Sequence, residues 1–362
     1  METNYILDKI DKKILVILME NSRYSYSTIA KKVGTKREVI TYRINRLLKK
    51  GIIEKFTTTI SWRTVGFNFA PHIYLKLNMV HKKRFNEIID KTVANPYLIR
   101  VAKCEGQFDI YIRALCKDFS HQNLILNEIK EICGLNLKEY EIIESVTDNY
   151  ANDTFFLDED KNYFQNISDN GSSFQNIINK TYKKGVAPPF KKRVLEDFEL
   201  KLLDILENNS RIKIIDIAKD LNVSFMKIKN RIKKLIGEGI IYKFNLILNP
   251  NKFGYSEYHL LLCLFGGEEN KKGLIQMLKG NKHCRYLALC NGKIDFLFRF
   301  EVKDNKELKK VMDDIFLKYS EIIAKYEYIW INNYYKHLSF PKPLLKLCKI
   351  VEKNPFISLV HP

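Results

Sequence analysis

No stretch of this sequence is apolar for long enough to cross a lipid bilayer. Its longest largely apolar run covers residues 258–265, whereas a membrane-spanning helix needs about 20 residues. The N-terminal residues show no apolar segment followed by a small-residue cleavage site, so no secretory signal peptide is expected. These absences predict a cytoplasmic protein without a membrane partner.

The sequence also lacks the common marks of metal binding and of catalysis. Its seven cysteines are an odd number, and no two of them form a C-x-x-C pair. They are typical of reduced thiols in a cytoplasmic protein rather than of a disulfide or zinc framework. Neither a phosphate-binding loop nor a nucleophile elbow is present. We therefore expect no metal, no cofactor and no catalytic residues, and hence no enzyme.

Positive charge, in contrast, is present in excess. The 362 residues include 61 Lys and Arg against 42 Asp and Glu, a formal net charge of +19. This balance favours a polyanionic partner, and nucleic acid before a membrane surface. A general lysine bias of the genome would produce the same balance without DNA, so the position of the charge has to decide between the two explanations.

The sequence repeats itself at a distance of 188 residues. Residues 7–67 align with residues 195–255 without a gap, and the Asn-Ser-Arg at residues 21–23 recurs at residues 209–211. Beyond this stretch the register slips by two residues and the similarity resumes. One unit of roughly 145 residues has therefore been duplicated, and function has to be argued from that unit.

The first part of the unit has the pattern of a winged helix-turn-helix. Apolar residues at helical spacing predict three helices, over residues 8–21, 25–33 and 36–50. Gly34 gives the chain the freedom to turn between the second and the third helix, which is the layout of helix-turn-helix proteins. Residues 53–60 then alternate between apolar and polar, which predicts the β-wing of a winged helix.

The third helix is expected to enter the major groove of double-stranded DNA. Its buried stripe is Ile40, Ile44 and Leu47, and residues 1–60 carry 13 Lys and Arg against 6 Asp and Glu. A charged run is usually only a solvated face, but here it coincides with the helix-turn-helix layout in both copies. The residues predicted to contact DNA are Lys36, Arg37, Thr41, Tyr42, Arg43, Asn45, Arg46, Lys49, Ser224, Lys227, Lys229, Asn230, Arg231, Lys233 and Lys234.

Two kinds of DNA contact are expected from this set. The Lys and Arg side chains would bind phosphates and supply most of the affinity. Tyr42 and Asn45 in the first copy, and Asn230 and Lys233 in the second, are the candidates for base edges. For each of them the alternative is an exposed residue that touches nothing.

The second part of the unit predicts a ferredoxin-like β-α-β-β-α-β module, with a tight Gly hairpin between its second and third strands. The fold class is therefore α+β. Aromatic residues in the linker, among them Phe155 and Phe156, predict that part of it packs on a module, and the apolar patch of the tail is expected to cover a sheet edge. The expected division is helix-turn-helix domains at 1–62 and 195–250, ferredoxin-like domains at 66–150 and 254–336, a linker at 151–194 and a tail at 337–362.

The order of these motifs resembles the Lrp/AsnC (leucine-responsive regulatory protein) family of transcription regulators. The string R-I-x-x-L-x-x-x-G-I-I occurs at residues 43–53 and again at 231–241, and G-x-x-D follows the second strand of each module at residues 106–109 and 292–295. The opening L-D-x-x-D-x-x-I-L at residues 7–15 is also similar to the first helix of that family. The order occurs twice, so the resemblance covers nearly the whole chain.

This resemblance implies a sequence-specific regulator that binds double-stranded DNA. In that family the second domain mediates assembly and in some members binds an amino acid or another small effector near the G-x-x-D turn, which nominates Gly106, Asp109, Gly292 and Asp295. The alternative for these residues is structural, because Gly makes a tight hairpin and Asp bonds its own backbone. The two modules of one chain are expected to pair as an intramolecular pseudo-dimer, with further homo-oligomers built from it.

Two other classes of protein remain open. Siroheme decarboxylases resemble a pair of these units, but such an enzyme would need inward His, Arg and Tyr side chains where the modules meet, and no basic reading helix. Here the reading helices are basic and the turn is G-x-x-D, which weighs against such an enzyme. The histidines of the two copies do not coincide either, and His72 and His259 miss each other by one position in the alignment. An effector-sensing protein that no longer binds DNA is the third class, because Phe225 and Met226 replace charge in the second reading helix.

Overall fold

The computed structural model describes residues 5–150, 155–157, 193–266, 268–338 and 340, and within them the two copies have the same order of elements. The first copy consists of α1 (Lys9–Glu20), α2 (Tyr26–Val33), α3 (Arg37–Lys49), β1 (Ile53–Ile60), β2 (His72–Leu77), α4 (Lys82–Ala94), β3 (Leu98–Glu105), β4 (Ile110–Ala114), α5 (Phe119–Cys133) and β5 (Leu137–Tyr150). The second consists of α6 (Asp197–Asn208), α7 (Ile214–Asp220), α8 (Phe225–Gly237), β6 (Ile241–Leu248), β7 (Ser256–Leu264), α9 (Glu268–Gly280), β8 (Cys284–Asn291), β9 (Phe296–Val302), α10 (Asn305–Tyr319) and β10 (Ile323–His337).

Local sequence signals set the helix boundaries of the first helix-turn-helix unit. The Asp8 side chain caps α1 by accepting hydrogen bonds from two backbone N–H groups, and the Ser25 side chain caps α2 by accepting one from the N–H of Thr28. Gly34 ends α2 with a φ of 79°, in the left-handed region that a side chain disfavours. In α3, Ile40, Ile44 and Leu47 are fully buried, as the helical spacing predicts.

The strand that follows each reading helix pairs with the equivalent strand of the other copy. β1 does not fold back on its own unit but pairs antiparallel with β6 of the other copy, and the two form a two-stranded ribbon. Each strand of the ribbon also packs on the other copy, β1 on α6 and β6 on α1. The prediction of a wing strand at residues 53–60 is therefore confirmed, and the structure adds that its hydrogen-bond partner lies in the other copy.

The two ferredoxin-like modules share one closed barrel of eight strands. Each module contributes a four-stranded sheet, in the order β3-β4-β2-β5 and β7-β9-β8 with β10 beside β7. The sheets are joined at two junctions, where β10 pairs with β3 and β5 pairs with β8. The expected pairing of the two modules within one chain is present, and it leaves neither sheet with an open edge inside the barrel.

Two kinds of core result from this architecture. Apolar side chains on the outer faces of the sheets pack against α4 and α5 in one module and against α9 and α10 in the other. A third cluster fills the barrel between the sheets with side chains from both modules, including Ile143, Leu297 and Ile329. Because it draws on both copies, this cluster stabilises the pairing itself.

The described part of the linker also packs on the protein. Phe155 and Phe156 are buried against Phe253 and Tyr255, in the core that surrounds the first helix-turn-helix unit. The prediction that part of the linker packs is confirmed for these two residues. Residues 151–154 and 158–192 of the linker lie outside the described residues. The tail at 341–362, which was expected to cover a sheet edge, lies outside them as well.

Neighbouring residues of β10 allow the shared core to be tested. Ile329 is fully buried between the modules, whereas Tyr328 points outward and is 52% exposed. We expect Ile329→Ala to lower the free energy of unfolding by about 2–5 kcal/mol, because it removes buried methylene groups and leaves a cavity. Tyr328→Ala is the control and should change it by less than about 1 kcal/mol. Equal effects in urea unfolding would show that the interior of the barrel is not a packed core.

Candidate DNA-binding surface and interior polar cluster

The structure places most of the predicted DNA contacts on exposed faces of the two reading helices. In the first copy the exposed ones are Lys36, Arg37, Tyr42, Asn45 and Lys49. In the second copy the exposed ones are Ser224, Lys227, Lys229, Asn230, Lys233 and Lys234. The two helices thus present basic surfaces, while their buried stripes are equivalent.

Arg43 and Arg46, which were also predicted to bind phosphates, are already occupied by a buried carboxylate. Asp11 in α1 is fully buried. Its oxygens lie 2.9 Å from Arg43 Nη1 and 3.0 Å from Arg46 Nη2. A buried carboxylate needs such partners, so the two arginines fasten α3 to α1. In the structure the two arginines have this structural role, and phosphate binding by them stays a prediction.

The second copy has the same arrangement with different residues. Arg231 Nη1 lies 2.8 Å from Oε1 of Glu199, a fully buried residue of α6, and Arg193 Nη2 lies 2.6 Å from the same oxygen. Burial acts to raise the pKa of the Glu199 carboxyl, but the Glu196 N–H and the two guanidinium groups hold this pKa below its usual range. Arg231 therefore has a structural role as well, and phosphate binding by it stays a prediction.

Three further candidate DNA contacts already interact with other residues of the protein. The Thr41 hydroxyl donates to the carbonyl of Arg37 in its own helix. Lys227 Nζ lies 5.0 Å from the centre of the Phe198 ring, and Lys234 pairs loosely with Glu238 at 3.9 Å. Exposed contacts of this kind are worth little, so they leave both lysines available to a phosphate.

The outward residues of the two reading helices differ in chemistry. The first helix presents Tyr42, 64% exposed and stacked beside Arg46 at 5.7 Å, together with Asn45. At its start the second presents Phe225 and Met226, which are 45% and 54% exposed. Two unlike surfaces are therefore carried on one chain.

The structure gives the G-x-x-D residues a role in the fold. Asp109 accepts a hydrogen bond from the backbone N–H of Leu77 at 2.8 Å, and Asp295 accepts one from the N–H of Leu264 at 2.7 Å. Gly106 and Gly292 turn the hairpins with φ values of 122° and 110°, which a side chain would disfavour. The glycines thus turn the hairpins as the structural explanation expects, whereas each aspartate bonds a neighbouring strand rather than the backbone of its own turn. Effector binding by the four residues stays a prediction.

A set of polar side chains inside the barrel was missed by the sequence reasoning. In the structure His72 pairs across the sheet with Arg113, and His259 pairs with Arg299. The two histidines also face equivalent isoleucines on their other side. They are therefore equivalent in the two copies, and the apparent miss by one position is corrected, because the register slips in two single-residue steps.

These histidines belong to an interior cluster that joins the two modules by hydrogen bonds. His72 Nε2 lies 3.1 Å from the Tyr286 hydroxyl, and His259 Nδ1 lies 2.8 Å from the Tyr74 hydroxyl. The members, all buried except the half-buried Tyr334, are His72, Tyr74, Tyr111, Arg113, Glu257, His259, Tyr286, Arg299 and Tyr334. Alternation along each strand places them on the inner face, and this polar alternation is the signal by which the sequence could have revealed them.

The interior cluster has an asymmetric acidic centre. Glu257 Oε1 lies 2.7 Å from Arg299 Nε and 2.9 Å from His259 Nε2, and it accepts a hydrogen bond from the Tyr334 hydroxyl. Despite its burial, the attraction of Arg299 and the hydrogen bond from His259 hold the pKa of this carboxyl well below its usual range. Burial lowers the pKa of His72 and of His259, and nearby guanidinium groups lower both further.

Two negative observations limit the chemistry of the described residues. No group of three or more His, Cys, Asp or Glu side chains among them is arranged to hold a metal ion. None of the helices in this part of the chain combines the length and the hydropathy of a membrane span.

The comparison with known proteins identifies the class first. Residues 7–54 and 195–242 both match the winged helix-turn-helix DNA-binding family. The transcriptional regulator FL11 of Pyrococcus furiosus is 31% identical over 130 residues, which cover 36% of this chain and 84% of the regulator. An uncharacterised helix-turn-helix-type transcriptional regulator of Pyrococcus horikoshii is 27% identical over 131 residues, which cover 36% of this chain and 87% of that protein.

The chain belongs to the Lrp/AsnC family of transcriptional regulators, as the sequence motifs imply, and it contains the family unit twice. A solved structure of the siroheme decarboxylase NirDL is similar over 96% of this chain and 100% of its own length, with a TM-score of 0.59 and 13% identity. At that identity the similarity shows a shared fold and no more.

The ion pairs of Arg43 and Arg46 with the buried Asp11 lead to a prediction on stability. We expect Arg43→Ala to lower the free energy of unfolding by about 1–3 kcal/mol, because the buried Asp11 loses a charged partner. Lys49→Ala, on an exposed position of the same helix, is the control and should change it by less than about 0.5 kcal/mol. Urea unfolding of the two variants measures the difference. If Arg43→Ala is as stable as the wild type, Arg43 has no structural role and is again expected to bind phosphate.

The interior histidines predict a loss of stability in mild acid. Unfolded histidine has a pKa of about 6.5, and the folded protein keeps His72 and His259 neutral to lower pH because both pKa values are lowered. The unfolded state therefore takes up protons first, and stability should fall as pH drops below about 6.5, by at most about 1.4 kcal/mol per pH unit for each histidine. Above pH 7 these groups should contribute no pH dependence.

Urea unfolding between pH 8 and pH 5 measures this slope. His72→Gln removes one of the histidines with a lowered pKa and should make the slope shallower. Glu257, whose pKa is also lowered, should add to the slope only once the pH falls into the ordinary carboxyl range. Stability that stays constant down to pH 5.5 would contradict the burial of neutral histidines.

Proposed function

We propose that the protein is a transcription regulator that binds double-stranded DNA through α3 and α8. The observation that carries the proposal is that each reading helix keeps the same buried stripe and exposes a basic outer face. Family membership supports the same function. A protein bound to the chromosome would act in the cytoplasm. A gel shift at about 50 mM salt tests the proposal, since nonspecific binding is strong at low salt, and no detectable affinity there would end it.

The exposed lysines and Arg37 are expected to bind the phosphates. Arg43, Arg46 and Arg231 are held by carboxylates and contribute less. This division differs from a simple count of cations on the helix. It predicts that the salt dependence of binding follows the exposed cations alone.

The salt dependence can be measured residue by residue. We expect Lys49→Ala to weaken binding similarly on every DNA sequence and to flatten the slope of log affinity against log salt by roughly 1, because one phosphate contact is lost. Lys91→Ala, an exposed lysine of α4, is the control and should leave the slope unchanged. A slope that Lys49→Ala does not change would remove this residue from the interface.

The unlike outer faces predict a DNA site with two unlike halves. A homodimer presents the same helix twice and favours a palindrome. Here the outward residues differ at equivalent positions, where Arg37, Tyr42 and Asn45 of the first helix correspond to Phe225, Asn230 and Lys233 of the second. The first head is expected to discriminate through Tyr42 and Asn45, and the second to depend more on phosphate contacts. Each good base contact contributes about 1–3 kcal/mol of discrimination.

Selection of binding sites from random DNA, followed by Asn45→Ala and Asn230→Ala, measures this asymmetry. Asn45→Ala should relax the sequence preference in one half-site only, and Asn230→Ala should have the smaller effect. A perfect palindrome, or equal relaxation of both half-sites by either variant, would show that the divergence of the two helices has no consequence for recognition.

Regulation by a small molecule and further assembly belong to the same proposal. We infer from the family resemblance that an amino acid binds near Gly106, Asp109, Gly292 and Asp295 and that pseudo-dimers associate further. A thermal-shift screen of the twenty amino acids, repeated with Asp109→Asn, would support the first inference if one amino acid stabilised the wild type alone. Light scattering of the purified protein tests the second.

The interior cluster favours a second candidate function. An enzyme similar to siroheme decarboxylase would need inward His, Arg and Tyr side chains where the modules meet, and the structure has them in His72, Arg113 and Tyr286 with their equivalents. One NirDL structure is a complex with an iron-uroporphyrin III analogue. Such an enzyme does not require exposed basic helices. Because the chain has them, we favour the regulator over the enzyme.

Tetrapyrrole binding separates the two candidates. Iron-uroporphyrin III is titrated into the protein and its absorbance is followed, with His72→Ala and the exposed His81→Ala as test and control. Saturable binding that His72→Ala abolishes and His81→Ala retains would favour the enzyme. DNA binding without any tetrapyrrole binding would exclude the enzyme and support the regulator.

A further inference from the structure

The Asn-Ser-Arg segments that the two copies share meet each other in the structure. The hydroxyl groups of Ser22 and Ser210 are buried and lie 2.6 Å apart, although the residues are 188 positions apart in sequence. The Ser22 N–H donates to the carbonyl of Phe244 at 2.9 Å, and the Ser210 N–H donates to that of Phe56 at 3.0 Å. Each segment is therefore bonded both to its counterpart and to the ribbon strand of the other copy.

The two arginines repeat this reciprocity. The Arg23 guanidinium donates to the carbonyl of Ser210, and the Arg211 guanidinium donates to the carbonyl of Ser22. Each also stacks on an aromatic ring of the other copy, Arg23 on Phe244 at 5.4 Å and Arg211 on Phe56 at 5.2 Å. Planar guanidinium groups suit such combined stacking and hydrogen bonding.

These contacts have a cost that a purely apolar junction would avoid. Burial lowers the pKa of both guanidinium groups, and that of Arg23 is lowered further by the charge of Arg211. Two like charges are thus held at the junction by carbonyl oxygens and aromatic faces. Such an arrangement is weak evidence for stability but specifies geometry, since the hydrogen bonds form in only one relative placement of the two units.

The junction lies where it can fix the two reading helices. Each Asn-Ser-Arg segment connects the first and second helices of its unit, and each ribbon strand follows directly after a reading helix. We propose that Ser22, Arg23, Ser210 and Arg211 are positioning residues that set the distance and the rotation between α3 and α8, and so restrict the protein to DNA sites of one half-site spacing. The spacing role rests on the proposed DNA-binding function.

The geometry of DNA makes the consequence measurable. Half-sites on one face of B-DNA are separated by whole turns of about 10–10.5 base pairs. One extra base pair moves a half-site by about 3.4 Å and rotates it by roughly 35°. Two heads held in a fixed relation cannot follow this change, whereas heads that move independently can.

The first arm of the test needs no DNA. Spin labels are attached through Glu38→Cys and Met226→Cys, exposed and equivalent positions on the two reading helices, with Cys263, Cys290 and Cys348 replaced by serine. The distance distribution should be narrow in the otherwise wild-type protein. It should broaden at least about twofold when Arg23→Met and Arg211→Met are combined, because methionine keeps part of the packing and loses the hydrogen bonds. A distribution of unchanged width would overturn the proposal.

The second arm uses the DNA site selected by the wild-type protein, with spacers changed by one, two and five base pairs. We expect the wild type to lose about 100-fold in affinity on a shifted site, because one half-site is lost, and the double methionine variant to lose about tenfold or less. Lys91→Met is the distant control and should behave as wild type. An equal ratio of shifted to optimal affinity in both proteins would overturn the spacing role.

Two further experiments distinguish a failure of the spacing role from misfolding and from a failure of the proposed DNA-binding function. If the methionine variant does not fold, judged by its cooperative unfolding, the lysine variants Arg23→Lys and Arg211→Lys replace it and should give intermediate widths and ratios. If the wild type binds no DNA, the proposed function falls and the spacing role falls with it, while the label distances still decide whether the segments fix the two units.

Discussion

Hydrogen bonding between strands of the two copies is the interaction on which the rest of this structure depends. The β1–β6 ribbon joins the helix-turn-helix units, and the β3–β10 and β5–β8 pairs close the barrel. Without them each module would expose two sheet edges and the apolar and polar side chains of one whole sheet face. The cores around the helix-turn-helix units are shared as well, because Leu246 and Leu248 of β6 pack on the first unit. The copies are therefore parts of one folding unit.

Covalent fusion of the copies permits differences that a homodimer cannot have. The equivalent His72 and His259 stand in unlike surroundings, since His72 contacts two tyrosine hydroxyls whereas His259 contacts Glu257 and one tyrosine hydroxyl. The reading helices differ in the same way on their outer faces while Ile40 and Ile228 occupy the same buried position. Divergence thus falls on exposed positions of the reading helices and on the interior of the barrel, and the buried positions that fix the reading helices stay alike.

Sequence periodicity was sufficient to predict the helices, the strands and the order of the modules, because these depend on neighbouring residues. It could not give partners that are distant in sequence. The strand at residues 53–60 has a wing-like pattern whichever strand it pairs with, and Arg43 has the same helical position whether it binds phosphate or Asp11. The equivalence of His72 and His259 was obscured for another reason, since an alignment with one two-residue slip cannot show that the slip occurs in two places.

The interior cluster requires an explanation beyond stability. Buried ion pairs such as Arg299 with Glu257 are often no more stabilising than apolar residues of the same size, because both charges lose their hydration. Two of its hydrogen bonds, one between His72 and Tyr286 and one between Tyr74 and His259, join the modules. They form only when the two sheets face each other in one register, so the cluster specifies how the modules pair in the closed barrel. An apolar interior would bury as much surface but would add no hydrogen bonds that select this register, and the strand pairs at the two junctions would then be alone in fixing how the sheets face each other.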